Sequence, residues 1–311
     1  MGKLRLALIA GGKSSEREVS LKSGAQVYQA LNQDKYAIRR YDPLTDLERL
    51  VHESRDLDAA LIIMHGRGGE DGSLQGLLDL LEIPYQGSGI LASALAMNKE
   101  LSKNIYRQAG LQVPRALIFD RAGAPSPQEI KAALGLPVVI KPVHEGSSIG
   151  ITKAATLEAL STGLAAAFAL DNRVLVEEFI QGTEVTGGVL GNARLQALPL
   201  VEIIPASTYA FFDYEAKYQP GATEEICPAR LSPELTKRAQ ECALTAHKAL
   251  GCRGYSRTDM MIREQEIFVL ETNTIPGMTA TSLFPQGAKA AGIDFPDLLD
   301  TLINLALEKE Q

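Results

Sequence analysis

Two short segments near the carboxyl-terminal end carry side chains suited to holding a metal ion. One reads Arg257-Thr258-Asp259. The other reads Glu271-Thr272-Asn273 and runs on into Thr274-Ile275-Pro276-Gly277-Met278-Thr279. Between them stand Met260-Met261-Ile262 and Ile267-Phe268-Val269-Leu270, apolar runs of strand-forming type. A hairpin centred on Gln265 sets Asp259 opposite Glu271 and Arg257 opposite Asn273. Strand side chains alternate with period two, so all four share one face. Two carboxylates directly across a ladder repel each other. A cation between them removes that cost, and hard oxygen ligands suit Mg²⁺, which completes its shell with water and substrate phosphates. The pattern points to a metal–nucleotide site. A hairpin with solvent-facing carboxylates fits the same residues, and a one-residue slip would scatter the four over both faces. The turn Glu264-Gln265-Glu266 also lacks the Gly or Asn of a tight hairpin.

Other segments offer partners for such a site. Gly146-Ser147-Ser148-Ile149-Gly150 follows an apolar run ending in Lys141. Small residues let backbone N–H groups approach phosphate oxygens, and a lysine adds a point charge. An ordinary flexible loop explains the same composition. Glu177-Glu178-Phe179-Ile180 joins edge backbone to carboxylates, with Glu184 close behind; a nucleoside connector and a solvated strand end both fit. Glu16 suits either a helix cap or a substrate ammonium. His65 ends an apolar run and is followed by Gly66, Gly68, Gly69 and Gly72, which implies a tight loop near a ligand or another backbone. Gly11-Gly12-Lys13-Ser14 is not a phosphate loop, because Ala7 stands where that pattern requires Gly. No GxGxxG opens the first helix, which argues against a dinucleotide site. No Ser-His-Asp arrangement supports nucleophilic hydrolysis.

The elements that must position these residues follow from periodicity. Leu4–Ala10, Tyr36–Tyr41 and 59–64 read as strands, alternating with helices over 19–31 and 74–81. This is a βαβ pattern with a parallel sheet, whose ligands belong at the strands' carboxyl ends. A single helix is expected from 91 to 109, carrying Lys99 and Lys103, and a loop around Pro125-Ser126-Pro127. Further strands are expected at 136–142, 174–176, 185–190 and 198–204, and helices at 157–169 and 233–250.

Composition narrows the class. The chain has 311 residues, about two domains by length. It is 45% hydrophobic and 22% charged, ordinary for a globular protein. A net charge of −7 and the lack of a basic run argue against nucleic acid as partner. No stretch approaches the roughly 20 apolar residues of a membrane span. Cys227, Cys242 and Cys252 show no CxxC spacing, which fits a reducing cytoplasm.

Taken together, the segments resemble the D-alanine–D-alanine ligases of the ATP-grasp superfamily. Six matching pieces occur in family order over nearly the whole chain. They are Gly11-Gly12 with Ser15–Leu21; His65-Gly66 with Gly69-Glu70-Asp71-Gly72; Lys141-Pro142 with Gly146–Gly150; Asp213–Tyr218; Arg257 with Asp259; and Glu271-Thr272-Asn273 with Pro276–Thr279 and Ser282-Leu283. The resemblance implies an α/β protein, α+β in its later parts, with the ATP-grasp fold and an N-terminal Rossmann-like parallel-sheet domain. It implies a substrate domain over 1–88, a central ATP-grasp subdomain over 89–181 and a catalytic domain over 182–311.

It also implies a reaction and a site. ATP would phosphorylate one D-alanine to an acyl phosphate, and the amine of a second would attack it to give D-alanyl-D-alanine for peptidoglycan. Lys99, Lys141, Ser148 and Lys217 would meet ATP phosphates; Glu177, Glu178, Phe179 and Ile180 would line the adenine, and Glu184 the ribose. Asp259, Glu271 and Asn273 would hold two Mg²⁺ ions, with Mn²⁺ as a substitute. Glu16 would hold the first ammonium in a network with Ser147 and Tyr218, near His65. Arg257 and the Gly277 N–H would form an oxyanion hole. Ser282 and Leu283 would take the second carboxylate, and the aromatic stretch Tyr209–Tyr218 would act as a lid. A homodimer is implied as well. D-lactate or D-serine as second substrate, and a non-catalytic nucleotide-binding relative, are the alternatives. Tyrosine at 218 favours the dipeptide, because phenylalanine can stand there in D-lactate-using relatives.

Overall fold

The computed structural model describes residues 2–144, 146, 150–205 and 223–308, and the statements below concern these. Ser147, Ser148, Lys217, Tyr218 and the expected lid lie outside them.

β1 (Leu4–Ala10), β2 (Tyr36–Tyr41) and β3 (Ala59–Ile63) form a parallel sheet of order β2-β1-β3. All five residues of β3 are buried, which is why it reads as an unbroken apolar run instead of an alternating one. Helix α1 (Arg17–Ala30) packs on this sheet, and α2 (Leu47–His52) and α3 (Ser73–Leu80) follow β2 and β3. The last helix of the chain, Phe295–Leu307, packs on the sheet as well. Its Leu298, Leu299, Leu302 and Ile303 recur at helical spacing and share one core with Leu6, Leu8, Leu61 and Ile63. The carboxyl-terminal end thus closes the amino-terminal core.

A second, antiparallel sheet has the order β4-β7-β5-β6, from β4 (Ala116–Asp120), β5 (Val138–Pro142), β6 (Thr152–Ala154) and β7 (Arg173–Glu178). Helices α6 (Pro127–Leu134) and α7 (Leu157–Leu170) cover its outer face. The third sheet runs β11-β10-β8-β12-β13 and is antiparallel. Its strands are β8 (Thr183–Gly191), β10 (Val201–Pro205), β11 (Thr223–Ile226), β12 (Gly254–Arg263) and β13 (Glu266–Asn273); β9 (Gln196–Ala197) pairs with β8. The helix Pro233–Ala249 packs across β8, β12 and β13.

Local chemistry corrects four expectations. The helix expected over 91–109 is two, α4 (Ile90–Met97) and α5 (Lys99–Gln108). Asn98 between them has extended backbone, and its side chain accepts from the N–H groups of Glu100 and Leu101. That N-cap makes Lys99 the first residue of a new helix. The loop expected at Pro125-Ser126-Pro127 ends at Ser126, and Pro127 already opens a helix: Ser126 and Glu129 form a reciprocal capping box, with Pro127 in the first turn. Ser126→Ala is expected to lower stability by about 1 kcal/mol, read as a shift of the denaturation midpoint at unchanged m-value. The strand expected from 198 begins at Val201, after Pro199, which cannot donate to a ladder.

The fourth correction concerns the hairpin. Arg257 faces Asn273 and Asp259 faces Glu271, as the spacing predicts. The turn, however, is the pair Glu264-Gln265 between the partners Arg263 and Glu266, and Glu264 takes the left-handed φ of 56°. The difference is absorbed by a register shift at Asp259/Met260, where Met260 faces Val269 and Leu270 is the extra residue. Leu270 and Glu271 consequently border the same cleft. On the opposite face Thr258 meets Thr272 at 3.0 Å, and Tyr106 donates to Thr272 at 2.8 Å.

Candidate active site

A cavity open to solvent, with about 700 Å³ of space when its mouth is included, lies between the second and third sheets. Lys141, Glu177, Phe179 and Ile180 border it from one side; Glu184, Asp259 and Glu271 border it from the other. Both sheets are antiparallel and bury their outer faces under helices, so their inner faces are left to clasp a ligand.

Glu177 anchors the inner wall. Its carboxylate pairs with Lys141 and lies 2.8 Å from Lys103 Nζ. Lys103 is fully buried and donates to the Leu270 carbonyl at 3.3 Å. Burial alone would raise the Glu177 carboxyl, but the two lysines outweigh it and hold it down at about 2. Each carboxylate oxygen thus has its own lysine, Oε2 facing Lys103 and Oε1 facing Lys141. The connector's backbone is partly engaged, since the Glu178 N–H bonds the Arg115 carbonyl and the Phe179 N–H bonds Pro137. The Glu178 side chain turns away to Arg115. Phe179 is held under Lys153, whose Nζ lies 3.6 Å from the ring centroid.

At the cleft's inner end Asp259 is the hub. It is 7% exposed, and it accepts from Thr186 at 2.5 Å, from Arg257 at 2.9 and 2.8 Å and from Asn273 at 3.2 Å. The Arg257 fork and the carboxylate meet in a bidentate pair. Burial works against the Arg257 charge, yet Asp259 raises its pKa above the ordinary value. Glu271 Oε2 lies 3.9 Å from Lys99 Nζ. Two carboxylates and an amide oxygen, all hard donors, therefore converge at the paired ends of two strands, which fits Mg²⁺ chemistry. Among the described residues no three His, Cys, Asp or Glu side chains form a metal cluster. Two carboxylates with an amide match an ion that takes its remaining ligands from phosphate and water.

Arg257 opens on its other side into a second cavity, of about 1540 Å³. Glu16, His65, Gly277, Ser282 and Leu283 all border this space. Glu16 sits at the N-cap position of α1, but its side chain makes no cap bond, and it is buried at 2% exposure. His65 is buried, and burial pushes its imidazole down to about 4, so it is neutral at pH 7. Its Nε2 has no partner among the described residues. Ser282 precedes the helix Leu283–Ala290; its hydroxyl is tied to Thr279 Oγ1 at 2.8 Å and accepts from the Thr279 N–H at 3.1 Å. A side chain at Gly277 would come within 3.1 Å of that hydroxyl, so glycine keeps the approach open.

A smaller cavity bordered by Glu70, Lys99, Glu271 and Asn273 shares Glu271 with the first and Glu70 and Asn273 with the second. Four side chains around the two clefts were given no site role from the sequence. Glu70 closes the glycine loop by accepting from the Gly66 N–H at 2.7 Å. Burial, then the charge of Glu16, pushes its carboxyl up to about 8. Its signal was a carboxylate inside the glycine run. Lys103 carried a weaker signal, one turn after Lys99 on the same helix face. Thr186 and Glu225 carried none, because each meets the site only through strand pairing.

Comparison with known proteins agrees along the chain. A family model described as "D-ala D-ala ligase C-terminus" matches residues 105–304, and one described as "D-ala D-ala ligase N-terminus" matches 44–88. A D-alanine--D-alanine ligase of Syntrophobacter fumaroxidans is 59% identical, over 98% of each chain. Among solved structures, D-alanine--D-alanine ligase from Bacillus anthracis complexed with ATP superposes with a TM-score of 0.85 at 35% identity. The match covers 98% of this chain and 97% of that one. VanG D-Ala:D-Ser ligase from Enterococcus faecalis gives 0.84 at 36% identity, covering 98% and 100%.

Proposed function

The chain belongs to the D-alanine–D-alanine ligase family, and from that premise we propose how its own residues divide the work. It is an enzyme with the ATP-grasp fold that joins two D-alanines at the expense of ATP, for peptidoglycan synthesis. The observation that carries the assignment of roles is the meeting of two clefts at one ion pair. Asp259 borders the inter-sheet cavity, and its partner Arg257 borders the other.

In this reading the inter-sheet cavity takes ATP. Glu177, Phe179 and Ile180 line the adenine, with Phe179 and Ile180 as apolar walls, and Glu184 stands at the ribose. Since the Glu178 N–H is engaged by Arg115, an adenine contact at that residue uses its carbonyl. Lys99 and Lys141, with Ser148 and Lys217, neutralise phosphate charge. Asp259, Glu271 and Asn273 would hold Mg²⁺, two ions by family likeness and replaceable by Mn²⁺, which would supply charge neutralisation at the phosphates.

The second cavity takes the amino acids. Glu16 holds the first ammonium, with Ser147, Tyr218 and neutral His65 around it. The carboxylate of that D-alanine attacks the γ-phosphorus of ATP, the bond to the β,γ-bridging oxygen breaks, and an acyl phosphate forms as ADP leaves. The amine of the second D-alanine adds to the acyl carbon, and Arg257 with the Gly277 N–H meets the oxygen that gains charge. Ser282 and Leu283, at a helix N-terminus, receive the second carboxylate. Phosphate leaves as the tetrahedral species collapses. The aromatic stretch Tyr209–Tyr218 excludes water. The division into 1–88, 89–181 and 182–311, a homodimer and a cytoplasmic location complete the proposal. Among the described residues no helix is long and apolar enough to cross a membrane.

Phosphate release with ATP and an amino acid tests the reading. D-alanine is expected to support turnover at neutral pH with dipeptide as product, while L-alanine does not. In competition with D-lactate and D-serine the D-alanyl-D-alanine dipeptide is expected to dominate. An ester or a D-Ala-D-Ser product in excess would overturn the assignment of the second substrate.

A further inference from the structure

We propose that Glu225 recognises the ammonium of the second amino acid and thereby selects an amine over a hydroxy acid as acceptor. The inference rests on the reading of the second cavity given above. Two amino acids bring two ammonium groups into that space, and Glu16 accounts for one.

Four carboxylates border the cavity: Glu16, Glu18, Glu70 and Glu225. The first three come from α1 and the loop after β3, on the side of the first sheet. Among the described residues lining the cavity, Glu225 is the acidic one on the third-sheet side. It lies on β11, opposite Ile203 of β10. Leu283, which the reading places at the acceptor's carboxylate, packs on Val201 and Ile203. Glu225 therefore stands at the acceptor end.

Its position is fixed by Gln286, one turn into the helix that Ser282 begins. The Gln286 amide donates to Glu225 Oε2 and, at 2.8 Å, to the Thr281 carbonyl. Both amide hydrogens are used, and the carboxylate is held by one oxygen. The other has no partner among the described residues and remains as an acceptor at the cavity. Burial raises the Glu225 carboxyl, while Gln286 and the Arg257 charge act to lower it. Arg257 borders the same cavity as Glu225, on the side where the incoming amine must arrive. An ammonium offers charge and three donors to such a carboxylate, whereas a hydroxyl offers one uncharged donor.

The test is Glu225→Gln, which preserves shape and removes charge. With the first D-alanine and ATP saturating, the KM for acceptor D-alanine is expected to rise about tenfold or more. D-lactate, measured as a competitive inhibitor against the acceptor, is expected to bind no more weakly than to the unmodified enzyme. The KM values for ATP and the first D-alanine should hold, and Glu225→Asp should recover part of the preference. An unchanged acceptor KM overturns the proposal, and so does an equal loss for D-alanine and D-lactate, which marks a merely structural role. Failure of the unmodified enzyme to release phosphate with ATP and D-alanine would instead sink the reading of the cavity itself.

Discussion

Arg257→Ala is expected to lower kcat by about three orders of magnitude, the scale of losing one oxyanion donor, while ATP binding survives. The argument rests on which cavity each end of the ion pair faces. Arg257 borders the amino-acid space and Asp259 the inter-sheet space. Removing the guanidinium takes away two hydrogen bonds to Asp259 but leaves it the Thr186 hydroxyl and the Asn273 amide. The carboxylate therefore keeps its orientation on β12. The side chains assigned to adenine and phosphate, Glu177 and Lys141, belong to the second sheet and pair with each other; they line the inter-sheet cavity, which Arg257 does not. Arg257→Lys should recover little, because a point charge cannot reproduce the planar fork that meets Asp259 and the developing oxyanion together. The check is a steady-state kcat with ATP affinity measured separately by equilibrium binding. Near-normal turnover would remove Arg257 from the oxyanion role. A parallel collapse of ATP binding would make it a structural residue of the hairpin.

What the sequence made legible was local. The facing of Asp259 with Glu271 follows from period two and a nearby turn. Even there, the bulge at Leu270 was invisible, because no Gly marks it and the strand-forming run continues through it. The break at Asn98 had a readable signal, an N-cap residue before Lys99 and Glu100. The helical pattern on either side outweighed it. Contacts made at long range were not readable at all. Thr186 reaches Asp259 across 73 positions, Tyr106 reaches Thr272 across 166, and Gln286 reaches Glu225 across 61. Each depends on strand order in the third sheet, which no single segment encodes. The last helix shows the same limit. Its apolar spacing is helical, but its target, the amino-terminal sheet, lies at the other end of the chain.

The buried lysines explain why the two carboxylates of the hairpin tolerate each other in the folded chain. Lys99 approaches Glu271, and Lys103 and Lys141 flank Glu177 close by. Positive charge from α5 and β5 thus surrounds the inter-sheet cavity. Asp259 is answered separately by Arg257. The repulsion that motivated a cation between the strands is already offset by protein groups. A metal ion therefore has to be argued from donor chemistry and from the phosphate it would serve, and not from an unanswered repulsion.

Glu271→Gln isolates that argument. The substitution keeps the side chain's shape and one carbonyl oxygen but removes the charge a hard divalent ion requires. It also leaves Lys99 without its 3.9 Å carboxylate neighbour, which strengthens rather than weakens the pull on a phosphate. Two effects then separate. ATP binding without Mg²⁺ should hold or improve slightly. The Mg²⁺ concentration for half-maximal enhancement of ATP binding should rise about a hundredfold, the upper end of what losing even an outer partner of a metal ligand costs. Calorimetric titration of ATP at stepped Mg²⁺ reads both quantities without turnover, so a damaged chemical step cannot imitate the result. An unchanged Mg²⁺ requirement would take Glu271 out of the metal site and leave Asp259 and Asn273 too few to hold an ion. A loss of ATP binding equal with and without Mg²⁺ would point instead to Glu271 positioning Lys99 at the start of α5.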